Sequence, residues 1–263
     1  AKERTQVSIF SPGAFSATAA DYYSDTTRTS FEATVLGCEK LSKSQLISLN
    51  LSSEVRTNPT HYVVLDRTLF YPEGGGQLGD QGSLGDANVA DTRVENGIIF
   101  HLTDGPLPMG EISGVVNWER RRQLMDHHTA VHVVGGSARA IIGPHIWQAG
   151  SNKGARYARV DLTHYSRLSR DDLNRIEDHS NEVLAANTAV EKLVMSRAEA
   201  DEAYGFELYQ GGPPMNSEIR IIRIGDHDVQ ACGGTHHDNV GNIGELRIIR
   251  SSQVQDGVER LQI

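Results

Sequence analysis

The sequence is poor in cysteine, with two in 263 residues, Cys38 and Cys232. Two thiols cannot build the multi-bridge framework of a small secreted domain, and this favours a reducing, cytoplasmic setting. Long apolar runs are also missing. No stretch approaches the ~18–20 residues that span a bilayer, and the opening AKERTQVSIF has no apolar signal core, so no membrane partner is expected. Positive charge is in deficit, 25 basic against 34 acidic residues, for a net charge of −9. That balance argues against a generic polyanion binder, but it leaves open a local basic field at a docking face. The chain also lacks an initiator Met, which suggests a piece of a longer protein.

What is present reads as a folded protein, with 38% hydrophobic and 22% charged residues. Residues 1–30 are rich in Ser, Thr and Ala and are expected to be a linker or leading segment. Residues 31–118 read as a β subdomain. FEATVLG, HYVVLDRTLFY and GEISGVVNW have strand character, and Asn96-Gly97 between two apolar-leaning runs is a hairpin signal. EGGGQLGDQGSLGD predicts a glycine-governed turn, and the polar stretch 39–60 reads as a loop. From 119 to 263 the pattern becomes mixed. RRRQLMDHHTAVHVV has helical spacing, and SRDDLNRIEDHSNEVLAAN predicts a helix capped by Ser169. SRAEADEAYG pairs Ser196 with Glu199 in a capping box and stops at Gly205, while EIRIIRIGDHDVQAC and GELRIIRSSQV read as strands. The expected class is α+β: a small β-barrel or sandwich over 31–118, then helices on an antiparallel sheet.

Two short stretches carry chemistry. DHHTAVH puts His128 and His132 four apart on one helix face, and QACGGTHHDN puts Cys232 and His236 four apart on a glycine-containing turn. One thiolate and three imidazoles suit Zn2+ in a tetrahedral site. His127 and His237 adjoin two of these residues, so either pair can be read one place off. Four protein ligands describe a closed site more readily than an open catalytic one. Thr129 stands where a zincin metalloprotease carries its glutamate, which speaks against peptide hydrolysis of that kind.

At these residues the sequence resembles a known family. LDRTLFYPEGGGQLGDQG, HHTAVHVV, HIWQAGSNKGARYARVDLTHY and DVQACGGTHHDNVGNIGELRIIR are similar to the editing domain of alanyl-tRNA synthetase and to the AlaX trans-editing proteins. LYQGGPPMNSEIRII and QDGVERLQI lean toward the archaeal version. The resemblance covers roughly residues 30–263. It implies a glycine-rich N-terminal barrel, a C-terminal subdomain of the synthetase second-additional-domain type, and zinc held by His128, His132, Cys232 and His236. It further implies hydrolysis of serine or glycine wrongly esterified to alanine tRNA, a proofreading deacylase acting on the tRNA(Ala) acceptor end beside the rest of a synthetase chain. The aminoacylation domain is outside these residues, so activation of alanine is not expected of them. The sequence departs from the family at His237, where an apolar residue is usual, and over 39–60, which is longer and more polar.

Serine and alanine differ by one hydroxyl, which a synthetic pocket rejects weakly. A second site that pairs with the hydroxyl would discriminate by about 1–3 kcal/mol. Thr68 and Gln77, which bracket the glycine turn, are the candidates, the family's corresponding Thr and Gln lining the pocket. Asp161 and Arg159 lie on an expected strand aimed at the site, with Asp161 a third catalytic candidate. The amides of Gly74, Gly75 and Gly76 can approach the terminal ribose, because glycine has no side chain in the way. Arg120, Arg121 and Arg122 before the metal helix, and Lys153 and Arg159 in the second basic run, are the candidates for tRNA phosphate contact. A different class of reading is a non-catalytic, zinc-stabilised tRNA-binding module; a third is another zinc hydrolase of the deformylase kind.

Overall fold

The computed structural model describes residues 8–10, 15–212 and 216–263. The chain divides into two compact units, residues 1–74 with 78–121, and residues 75–77 with 122–263. The class is α+β. Among the described residues, no helix is long and apolar enough to cross a membrane.

The first unit holds β1 (Ala19–Ala20), β2 (Ser30–Lys40), α1 (Lys43–Leu49), β3 (His61–Leu65), β4 (Arg67–Thr68), β5 (Gly82–Leu84), β6 (Ala87–Glu95), β7 (Ile98–Thr103) and β8 (Gly110–Val116). Six antiparallel strands close on themselves in the order β2-β3-β7-β6-β5-β8, and β8 pairs back onto β2. Strand alternation sorts the side chains. On β3, Val63 and Leu65 join a cluster with Phe31, Phe70 and Leu84, whereas Tyr62 and Val64 face a second cluster with Phe10, Leu49 and Phe100. The turn between β6 and β7 is Asn96-Gly97 with φ of 52° and 79°, as that dipeptide predicts. The short pair β1–β4 is parallel and draws part of the 1–30 stretch into the unit.

The stretch 39–60 is not only loop. Ser42 caps α1 in a capping box with Gln45, and Leu41 and Leu46 join the same apolar cluster as Leu49. That is a box plus a staple, and burial of the leucines is what holds so short a helix.

Helix α2 (Trp118–Ile142) begins in the first unit and continues in the second. There it is followed by β9 (Gln148–Lys153), β10 (Ala158–Thr163), α3 (Arg170–Ala185), β11 (Val190–Ser196), α4 (Arg197–Tyr204), β12 (Glu218–Ile224), β13 (Asp228–Ala231), β14 (Arg250–Gln255) and β15 (Val258–Gln262). The strands form a four-stranded sheet, β14-β15-β10-β9, and a three-stranded sheet, β11-β12-β13. Val131, Val134 and Ala138 of α2 and Leu173 and Ile176 of α3 share one core with Val160, Ile222 and Leu261 from the sheets. Ser169 and Ser196 cap α3 and α4 with Asp172 and Glu199 closing each box, and Gly205 ends α4. Of the stretch 244–254, read as strand, Arg250 onward forms β14 and the Ile249 N–H already donates to the Gln262 carbonyl of β15 at 2.9 Å, but residues 244–248 lie outside the strand. Asn181 of α3 instead bonds both the N–H and the C=O of Leu246, and Glu177 accepts from the Ile248 N–H at 2.6 Å. Leu246 and Ile248 are buried there, and side chains take over the duty of a ladder.

Two of the arginines expected at tRNA phosphates are built into the first unit. Arg121 is fully buried, pairs with Asp80, and donates to the carbonyls of Thr26 (3.0 Å) and Leu69 (2.6 Å). Arg120 is 8% exposed and pairs with Glu54 at 2.6 Å. Both guanidinium groups are buried and paired inside the fold, which corrects their assignment to phosphate contact; Arg122 is exposed. Removing one partner of such a buried pair strands the other charge. Arg121→Met is therefore expected to lower unfolding free energy by about 3–5 kcal/mol in urea denaturation, and a loss below about 1 kcal/mol would contradict the structural role of this pair.

Candidate metal centre and adjoining cavity

Helix α2 presents His128 and His132 on one face, and the turn after β13 brings Cys232 and His236 to them. One ligand atom from each of the four lies within 4.8 Å of all the others. The Cys232 sulfur is 3.3 Å from His128 Nε2 and 3.4 Å from His236 Nε2. Ligands at Zn–N ≈ 2.0–2.1 Å and Zn–S ≈ 2.3 Å in a tetrahedron stand roughly 3.5 Å apart, so these separations suit such an ion.

The outer ring nitrogens are all occupied. Gln77 Oε1 accepts from the Thr235 N–H at 3.1 Å, which fixes that atom as the oxygen, and it accepts from His128 Nδ1 at 2.7 Å. His132 Nδ1 donates to Asp228 at 2.9 Å, and His236 Nδ1 meets the Thr129 hydroxyl at 3.1 Å. Each imidazole is thereby held with Nε2 facing the cluster, the arrangement that orients metal-bound histidines. Asp228 is itself paired with Arg139 and bonded by Gln230. Arg220 holds the turn by donating to the carbonyls of Cys232 (2.8 Å) and Gly234 (2.9 Å). Gly234 admits no side chain, since a Cβ there would lie 2.0 Å from a His128 ring carbon.

The electrostatics favour a thiolate. Burial raises the Cys232 pKa, but the hydrogen bond and charge of His132, and Lys153, bring it down to about 7. Burial lowers His132, but Asp228 and Cys232 carry it up to about 9. Burial, with cationic neighbours, holds His128 and His236 well below the usual histidine value. The donor set fits a soft-to-borderline divalent ion.

The competing readings fall away on geometry. His127 Nδ1 bonds the Gly154 carbonyl at 2.7 Å, and His237 Nε2 pairs with Asp126 at 2.6 Å. Neither ring joins the cluster. Sequence reasoning missed Asp228 and gave Thr129 no part in it; their partners lie 96 and 107 residues away, beyond any local pattern.

A cavity of about 320 Å³ adjoins the cluster, lined by His128, His132, Cys232, Lys153 and the backbone of Gly75 and Gly76, among others. The glycine turn is fixed to β9: the Lys153 N–H donates to the Gly76 carbonyl at 2.7 Å. Gly76 has φ +77°, and a Cβ on it would lie 2.5 Å from the Ser151 carbonyl oxygen. Lys153 therefore belongs to the cavity, whereas Gly74 lies in the first unit. Burial pushes the Lys153 pKa down to about 8.

Asp161 and Arg159 do not line the cavity. On β10, Val160 and Leu162 face the core and alternation turns Arg159 and Asp161 to the other side. There Asp161 is bound by Arg159 at 2.5 Å and by Arg260 at 2.7 Å. Both arginines hold its carboxyl below the usual range against the effect of burial, so it is a poor proton acceptor and an ion-pair partner. Gln77 is fully buried and acts on His128 and Thr235. Thr68 is fully buried within the first unit. Burial takes the His101 pKa down to about 4, its Nδ1–H faces the Val63 carbonyl, and its neutral Nε2 accepts from the Thr68 hydroxyl at 2.8 Å. Thr68 Oγ1 also accepts from the Phe70 N–H, leaving one lone pair unspent.

Residues 219–262 match the family model described as threonyl and alanyl tRNA synthetase second additional domain, and residues 10–119 match tRNA synthetases class II (A). Relatives named alanine-tRNA ligase include those of Methanopyrus kandleri, 42% identical over 92% of this chain and 25% of the relative, and Natronomonas pharaonis, 43% over 91% and 25%. That of Halobacterium salinarum is 48% identical over 76% of the chain and 22% of the relative. The chain spans about a quarter of the length of the curated relatives it matches.

Asp228→Asn should weaken metal affinity by about 10–100-fold in competition with a chelator, since it loosens the hold on His132; an unchanged affinity would remove Asp228 from that role. The buried neutral His101 gives an acid-sensitive term. Its folded pKa lies below the unfolded value of 6.5, so the unfolded chain takes up the proton first. The stability from this site is complete above that value and declines toward pH 4, at about 1.4 kcal/mol per pH unit at most. His101→Gln should flatten the pH dependence of the unfolding midpoint in that window.

Proposed function

We propose that this chain, an editing-type domain of the alanyl-tRNA synthetase family, hydrolyses the ester that joins serine, or glycine, to the 3′ end of alanine tRNA. The observation that carries this is the convergence of three oriented imidazoles and one thiol beside a cavity. His128, His132, Cys232 and His236 would hold Zn2+, which supplies Lewis acidity or a fixed point for a substrate heteroatom. The chain's own groups do the rest. The backbone of Gly75 and Gly76 offers a surface a ribose can approach closely. Gln77 keeps the His128 ring in place. The sequence reading of Thr68 as the partner of the serine hydroxyl remains a proposal, supported by its one unspent lone pair. Arg122 and Arg159, with exposed or partly exposed guanidinium groups, are the remaining candidates for tRNA phosphates.

An aminoacyl ester is already activated, so positioning and a few oriented donors suffice. The alternative, a zinc-stabilised tRNA-binding module without catalysis, draws support from the four protein donors, which close a tetrahedral site.

The test is to incubate the protein with alanine tRNA charged with serine or with alanine. Loss of the seryl ester should be accelerated by about 10²-fold or more over the uncatalysed rate, while the alanyl ester decays at its own rate. Cys232→Ala should remove the acceleration. Retention of tRNA with no acceleration of either ester would favour the binding module.

A further inference from the structure

The cavity beside the cluster contains a cation with incomplete bonding. An ammonium has three N–H donors and no acceptor. Lys153 Nζ donates to the Gly75 carbonyl at 2.8 Å and to the Ser151 hydroxyl at 2.6 Å, and Lys153 is 2% exposed. One donor is left for whatever fills the cavity. Among the described residues, no aspartate or glutamate lines that space. A buried ammonium without a carboxylate partner is costly to desolvate, and an anionic guest would offset the cost.

The ammonium is also fixed in place. Its backbone N–H is bonded to Gly76, Gln77 bridges to Lys153 in the same strand-like pairing, and both Nζ partners belong to that turn and strand. A donor held so, out of water, spends little reorganisation on a charge that appears opposite it.

We propose that Lys153 is a catalytic residue that donates its third N–H to the ester carbonyl oxygen as that oxygen becomes negative; this rests on the hydrolase reading above. In the step, the water oxygen bonds to the carbonyl carbon and loses a proton to solvent, and the C=O pair moves onto oxygen. The pair then returns as the carbon–ribose oxygen bond breaks. The ribose oxygen takes a proton and leaves as the 3′-hydroxyl. Lys153 keeps its own protons throughout. It binds the planar ester weakly and the tetrahedral oxyanion strongly, which is the difference that lowers a barrier.

Two isosteres of seryl-adenosine separate these states: a planar amide and a tetrahedral, anionic phosphonate. Dissociation constants are measured by calorimetry for the wild type, Lys153→Met and Lys153→Arg, with metal content and unfolding midpoint as checks of fold. Lys153→Met should lose roughly 10²–10³-fold in phosphonate affinity and less than about threefold in amide affinity, with kcat falling and KM nearly unchanged; Lys153→Arg should recover part of the phosphonate binding. Equal losses for both isosteres, no loss, or no phosphonate binding by the wild type would overturn the proposal. If Lys153→Met loses metal or unfolds, Ser151→Ala serves instead. It removes one anchor and keeps the charge, and its loss must again be selective for the phosphonate. Phosphonate binding that depends on Lys153, without hydrolysis of seryl-tRNA, would reject the hydrolase reading and leave this contact standing. Hydrolysis with equal phosphonate affinity in wild type and Lys153→Met would reject the contact alone.

Discussion

An imidazole offers two nitrogens, and a cluster of three works only if each ring turns a free one inward; here all three turn Nε2. That choice is made from outside, by what each Nδ1 touches. Gln77 holds His128, Asp228 holds His132 and Thr129 meets His236. These partners come from a glycine turn, a strand and the metal helix itself, so the site is as much a property of packing as of its four donors.

The close approaches around it follow from the same demand. Gly234 lets the turn after β13 pass against the His128 ring, and Gly76 lets the 75–77 turn lie against Ser151. The first brings Cys232 and His236 within reach of the helix; the second hangs Lys153 beside the cavity. Charge elsewhere serves the fold. Arg121 is neutralised by Asp80, and Asp161 is held between two arginines. The cationic character of the cavity rests on few groups, which is why a single buried ammonium matters there.

Much of the local structure could be read from neighbours a few residues apart. Asn96-Gly97, the boxes at Ser169 and Ser196, and the helical spacing of His128 and His132 all correspond to observed elements. The signal for α1 was present too, in Ser42 and Gln45 with Leu41 and Leu46, but polar residues around it masked the apolar stripe. The apolar run 244–249 misled for the opposite reason. It has strand composition, yet up to Ile248 the side chains of α3 take its backbone bonds, and ladder pairing begins only at the Ile249 N–H, which donates to Gln262 of β15.

By itself the sequence determined which donors exist and how they are grouped: an imidazole pair one helical turn apart, and a thiol and an imidazole astride two glycines. Spacing within one element is set by backbone geometry, which a chain carries locally. Only the tertiary structure decided that the pairs meet across 104 residues, that His127 and His237 turn away, and that Arg120 and Arg121 are interior rather than exposed. Those outcomes depend on which distant groups share a buried volume and satisfy one another's hydrogen bonds, and no run of neighbouring residues contains that information.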